Sequence, residues 1–180
     1  MDAISMLEHD HRHVESMLKA LSSSEAGPER AAMVAELTKA LELHMRFEEE
    51  HIYPLMQEID AEMEEEAEVE HRLAREGLAK VNEMVEMPGF AAAVEMLTAG
   101  ISHHVEDEES EAFPKLRQQF DDDRLKSLGT TLLEEKRQAG MLVDSQSTKA
   151  EMQEIASELG IERTSSMSKD ELKEAIGATA

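Results

Sequence analysis

The sequence predicts an all-α protein. The expected architecture is an up-down four-helix bundle built from two αα-hairpin repeats, followed by a fifth helix and a small C-terminal helical module. Three observations carry that expectation. Apolar residues recur at three- and four-residue intervals along most of the chain, while strict alternation is weak everywhere. With no Trp, one Tyr and four Phe, the core must be filled by Leu, Ile, Val, Ala and 13 Met, which suits helices. Finally, HMRFEEEHIYP at 44–54 returns as HVEDEESEAFP at 104–114, an offset of 60 residues.

Taken in order, Ile4, Leu7, His11, Val14, Leu18 and Leu21 mark one face of a first helix, and SSSEAGP (22–28) ends it. A second helix starts near Pro28 and runs from about Glu29 into the fifties. Pro54 should kink or end it, because proline removes a helical donor. The acidic stretch EIDAEMEEEAEVE (58–70) leads into a third helix, whose N-terminal dipole favours those carboxylates. That helix carries His71, Leu78, Val81 and Val85, and MPGF (87–90) breaks it. The fourth carries Val94, Leu97, Ile101, His104 and Glu108 and reaches Pro114. A fifth helix is expected over Asp122–Met141, giving units at 1–120, 121–142 and 143–180.

Charge and composition exclude several classes. Eighteen basic against 41 acidic residues give −23, which favours cations and argues against phosphate-backbone binding by the bulk of the chain. With no Cys there are no disulfides, no iron–sulfur clusters and no thiol catalysis. The N-terminus MDAISMLEHDH lacks a basic and an apolar leader region, and no run reaches membrane-spanning length. A cytoplasmic protein with no membrane partner is the expectation.

The repeat extends beyond its clearest motif. DHRHVESML (10–18) and EHRLAREGL (70–78) are related by the same offset, and each half separates its two His by 33 residues, His11 to His44 and His71 to His104. One hairpin cannot bury its apolar face, whereas two packed about a pseudo-two-fold axis form a bundle. That packing brings His11, His44, Glu48, His71, His104 and Glu108 to one level of the core. Residues i and i+4 share a helix face, so each H-x-x-x-E delivers an imidazole and a carboxylate to the same side. Mixed N/O donors of this kind suit borderline-to-hard transition metals, and a carboxylate bridges two metals where an imidazole seldom does. A lone core histidine is more often simply hydrogen-bonded, but six donors in register would need a complete buried polar network without a metal.

D-H-x-x-V (10–14), H-x-x-x-E-E-x-x-x-Y-P (44–54), E-H (70–71) and H-x-x-x-E-E-x-x-x-F-P (104–114) resemble the hemerythrin-like, or HHE cation-binding, family over about residues 1–120. The resemblance implies an up-down bundle around a di-iron centre, two iron ions being held by His11, His44, Glu48, His71, His104 and Glu108. It also implies O2, H2O2 or NO as the small ligand. The oxygen carriers of that family place a second His four residues after the third-helix His, where this chain has Arg75, and use H-x-x-x-x-D on the last helix. The departures point away from oxygen carriage; family variants of this kind resemble proteins linked to iron binding, peroxide breakdown, or nitric oxide and oxygen responses, and peroxide breakdown is the favoured reaction. The alternative is a non-catalytic iron or oxygen sensor.

A ferritin-like site would instead use E-x-x-H pairs, as in Glu8/His11, Glu68/His71 and Glu48/His51, but leaves His44 and His104 unexplained. Around the expected centre, His9 and His13 read as solvent-facing, His103 as facing a neighbouring helix or water, and His51 as a candidate accessory ligand. Tyr53, matched by the repeat to Phe113, reads as core packing within reach of a bound oxygen species. Arg75 reads as a surface salt bridge, or as an anion contact at the vacant ligand position. The 58–70 run reads as a solvated face with an attraction for Fe²⁺.

In the tail, Thr148-x-x-Glu151 and Ser168-x-x-Glu171 fit capping boxes, with Gly160 and Gly177 at C-cap positions. TKAEMQEIASELGI (148–161) followed by MSKDELKEAI (167–176) resembles the helix–extended–helix motif of the Rho N-terminal and SAP-like families. That resemblance implies nucleic-acid binding confined to 143–180. From Ser145 onward, however, four basic residues face seven acidic ones, giving −3, and a protein-docking or capping module is the alternative.

Overall fold

The computed structural model describes residues 1–179, and no strand occurs among them. The helices are α1 (Ala3–Ser22), α2 (Pro28–Phe47), α3 (Tyr53–Ile59), α4 (Ala61–Glu83), α5 (Phe90–Asp107), α6 (Phe113–Gln119), α7 (Asp122–Ala139), α8 (Lys149–Glu158) and α9 (Lys169–Gly177). Most boundaries have a local cause. Pro28 occupies the first turn of α2, where its missing N–H is not needed. Asp60 caps α4 by accepting from Met63 N, and Asp121 caps α7 by accepting from Arg124 N. Gly89, at φ 92°, lets the chain turn into α5, and both capping boxes in the tail are formed. At the C-terminal end α9 includes Gly177, and Ala178 is the cap.

Pro54 neither ends the second helix nor leaves it regular. Residues Glu48–Ile52 form a π turn that joins α2 to α3, and Glu108–Ala112 repeat it between α5 and α6. Tyr53 N–H reaches back five residues to Glu48 O, as Phe113 N–H does to Glu108 O. A proline cannot donate to the carbonyl one turn back, and the widened turn lets the helix run on past that gap. Both π turns begin on the Glu of an H-x-x-x-E motif.

The chain divides into two compact units: Asp10–Phe120, and residues 1–9 together with 121 onward. The first is the bundle, with four helical rods formed by α1, by α2 with α3, by α4, and by α5 with α6. Its core is the stripe read from the sequence: Leu18, Leu78, Val81 and Val94 are all buried, as are Leu37 and Leu41 of α2. In the second unit α8 packs on α9, and the N-terminal residues are fixed to the same unit. The Met1 ammonium lies 2.6 Å from Glu154 and 3.3 Å from Glu158. A Cβ at Gly129 would fall 2.3 Å from Met1 O and 3.0 Å from Ala3 N, so only glycine admits the N-terminal backbone so close to α7. No helix among the described residues is long and apolar enough to cross a membrane.

Candidate metal centre

The six predicted donors meet in the dry middle of the bundle, each 0–5 % exposed. They arrive as two imidazole pairs. His11 Nε2 lies 3.2 Å from His44 Nε2, and His71 Nε2 lies 3.1 Å from His104 Nε2. Each carboxylate stands between the pairs. Glu48 Oε2 is 3.1 Å from His44 Nε2 and 3.3 Å from His71 Nε2. Glu108 Oε2 is 3.3 Å from His11 Nε2 and 3.5 Å from His104 Nε2. Two groups result: His11, His44, Glu48 and Glu108 in one, Glu48, His71 and His104 in the other, with ligand atoms all within 4.8 Å of one another.

The outer nitrogens explain why Nε2 faces inward. His11 Nδ1 contacts Glu109 at 2.8 Å, His71 Nδ1 contacts Glu49 at 3.0 Å, and His104 Nδ1 contacts Glu70 at 2.9 Å. An ionised carboxylate only accepts, so each of these Nδ1 atoms carries the proton and turns Nε2 toward the centre. His44 Nδ1 faces Asp10 across 3.8 Å; the repeat places Glu70 at the equivalent position, and the shorter Asp side chain leaves the wider gap.

This donor set fits a cation. Neither oxygen of Glu48 or of Glu108 accepts a hydrogen bond, despite near-complete burial. Facing Nε2 lone pairs repel unless a proton or a metal lies between them. Electrostatics agree: burial opposes charge on Glu48, yet His44 and His71 hold its carboxyl well below the usual carboxylate range. Burial likewise works against protonated His44, but Glu48 and Asp10 overcome it and hold the ring at about 10. His104 stands at about 9, where Glu108 and Glu70 outweigh its burial, and His11 is also raised, by Glu108 and Glu109. The centre therefore retains positive charge beside its carboxylates, and protons fill that role when no metal does.

The supporting carboxylates Asp10, Glu49, Glu70 and Glu109 were not among the predicted residues. The signal lay inside the motifs: Glu49 and Glu109 are the second acid of H-x-x-x-E-E, and Asp10 and Glu70 precede His11 and His71. Neighbour relations along the chain concealed it, since Asp10 and Glu70 serve the His of the adjacent helix rather than their own neighbours.

Other expectations resolve as follows. Tyr53 is buried, and its hydroxyl lies 2.9 Å from His71 Nε2, while its repeat mate Phe113 stacks on His11 at 5.8 Å. Arg75 is bound to Glu49 at 2.6 Å and 3.0 Å and so braces the carboxylate behind His71 rather than a vacant ligand position. His51 lies against Phe47, ring centroids 4.8 Å apart, outside the buried donor groups just described. His103 is 64 % exposed, as expected for a water-facing side chain. The solvent-facing reading of His9 and His13 is corrected. His13 is 6 % exposed, and His9 is held by Asp144 at 2.9 Å and Glu151 at 3.2 Å. A helical wheel assumes one covered face, and burial here is not confined to the predicted one. Glu68, needed by the ferritin-like alternative, is exposed.

Residues 2–116 match the family model described as Hemerythrin HHE cation binding domain, and residues 146–178 match the one described as Rho termination factor, N-terminal domain. No curated protein and no solved structure matches the chain.

Proposed function

The chain belongs to the hemerythrin HHE cation-binding family, and from that premise we propose that its buried cluster holds two iron ions and reacts with O2, H2O2 or NO, peroxide breakdown being the favoured reaction. The observation that carries this reading is the placement of Glu48 and Glu108. Each sets one oxygen against an imidazole of both pairs while accepting no hydrogen bond. In this reading His11 and His44 would hold one ion and His71 and His104 the other, with Glu48 and Glu108 available to both. A bound iron pair would exchange electrons with a small oxygen- or nitrogen-containing ligand, giving them up to reduce it and taking them to oxidise it.

The chain's own residues do the rest. Glu109, Glu49 and Glu70 hold three imidazoles with Nε2 turned inward, and Arg12 and Arg75 fix Glu109 and Glu49 in turn. Burial excludes bulk water and strengthens every charge interaction within the cluster. Tyr53 places a hydroxyl on one pair only; burial and the nearby Glu48 and Glu108 carboxylates keep it protonated, so it is a hydrogen-bond donor to that side. The test is H2O2 turnover by the iron-loaded chain. Turnover lost in Glu48→Ala and in His104→Ala supports the reading, and activity no greater than that of free iron removes the enzymatic part.

A second reading, a non-catalytic iron or oxygen sensor, draws on the Rho termination factor match at 146–178. In it, metal occupancy alters how the C-terminal helices are presented to a nucleic acid or protein. Equal melting temperatures and equal proteolysis of the tail with and without iron would reject it.

A further inference from the structure

A cavity of about 320 Å³ within the bundle unit reaches the centre from one side. His104 and Glu108 form its floor, and its wall carries Asp60, Glu62, Glu66, Glu70, Asp107 and Glu111. Glu62, Glu66 and Glu111 are exposed and Asp107 is half-buried, whereas Glu108 is 2 % exposed with neither oxygen hydrogen-bonded. The acidic residues are therefore more than a solvated helix face, because they descend to a buried carboxylate whose oxygens accept no hydrogen bond. The basic groups here are Lys115, 3.2 Å from Asp60 and 3.8 Å from Glu111, and His103, 3.5 Å from Asp107. One lysine against six wall carboxylates leaves the wall negative.

The duplication makes this opening one-sided. At an offset of 60, Asp107 corresponds to Phe47, Ala112 to Ile52 and Asp60 to Phe120, while Glu111 corresponds to His51. Phe47 and Ile52 are fully buried. Symmetric donors are thus served by an asymmetric approach, since two acidic positions beside His104, Asp107 and Asp60, are phenylalanine in the other half.

We propose that this cavity is the route by which divalent cations enter the centre, its wall carboxylates acting as transient ligands that pass the ion to Glu108 and His104. The inference rests on the metal-centre reading above. A cleft lined by one sign of charge raises the local concentration of counter-ions and their on-rate by roughly 10- to 10³-fold, and salt suppresses the effect.

Metal-free full-length chain mixed with Co²⁺ in a stopped-flow instrument reports uptake through the cobalt ligand-field bands. Glu62→Gln/Glu66→Gln/Glu111→Gln is compared with Glu65→Gln/Glu76→Gln/Glu95→Gln, which removes the same charge from exposed positions outside the cavity wall. Circular dichroism confirms the helix content of both. The cavity variant should load about tenfold more slowly at low ionic strength and lose most of its salt dependence, while reaching the wild-type cobalt stoichiometry. The control variant should load at close to the wild-type rate. Equal rates in all three proteins, or equal slowing in both variants, overturns the route. A cavity variant that ends with fewer bound ions also overturns it, since the wall would then belong to the resident site. Wild-type chain that takes up no cobalt contradicts the metal centre itself, a separate outcome.

Discussion

Filling the centre at neutral pH should expel protons. In the metal-free protein His44 is held at about 10 and His104 at about 9, so at pH 7 both rings carry a second proton almost completely. A ring nitrogen that binds metal must be bare, so occupancy releases about two protons from these rings. His11, also raised, adds to that count. Two protons per binding event make the affinity climb about 100-fold per pH unit near neutrality, or about 2.7 kcal/mol. Calorimetric titration with Co²⁺ in buffers of different ionisation enthalpy reads the proton number directly from the slope of heat against buffer enthalpy. A slope near zero, or an affinity flat between pH 6.5 and 8, would refute this account of the charge balance. The same shifts set the stability of the metal-free chain. A raised His contributes fully below its ordinary 6.5, and the contribution disappears as pH climbs through about 9 and 10. Depressed Glu48 contributes above its ordinary 4.5 and loses that as pH falls. As far as these groups decide it, the metal-free protein should melt highest between those two ordinary values.

Three further substitutions test separate parts. Tyr53→Phe removes the hydroxyl 2.9 Å from His71 Nε2 and should lower metal-free stability by about 1 kcal/mol in urea unfolding. The metal-loaded form should lose much less, because that nitrogen then has another partner. Glu70→Gln leaves His104 without its anionic support and should weaken Co²⁺ binding roughly 10- to 100-fold at unchanged helix content, as measured by competition with a chelator. Gly129→Ala sets a methyl group 2.3 Å from Met1 O and should destabilise the chain by about 1–3 kcal/mol, with unchanged cobalt stoichiometry.

The parts of the molecule legible in the sequence were those governed by periodicity. Leu18, Leu78 and Val94 lie on the predicted stripes and are buried, and the six donors fall together because i, i+4 spacing and the repeat fix both face and height. Two features escaped for physical reasons. The π turns depend on how a helix accommodates the missing donor of Pro54 and Pro114, and spacing alone does not distinguish a widened turn from a kink or an end. Glu49, Glu70 and Glu109 sit in a chain with 41 acidic residues, where one carboxylate behind an imidazole looks like any other until neighbouring helices are placed. His9 was misread because its partners Asp144 and Glu151 lie more than 130 residues away.

The central claim is that one bundle core holds two ions through shared carboxylates. Anaerobic titration of the metal-free chain with Fe²⁺, followed by mass spectrometry under native conditions, counts them. Two irons per chain, both lost in Glu48→Ala, is the predicted result. Saturation at a single iron, or a Glu48→Ala chain that still binds two, would contradict it.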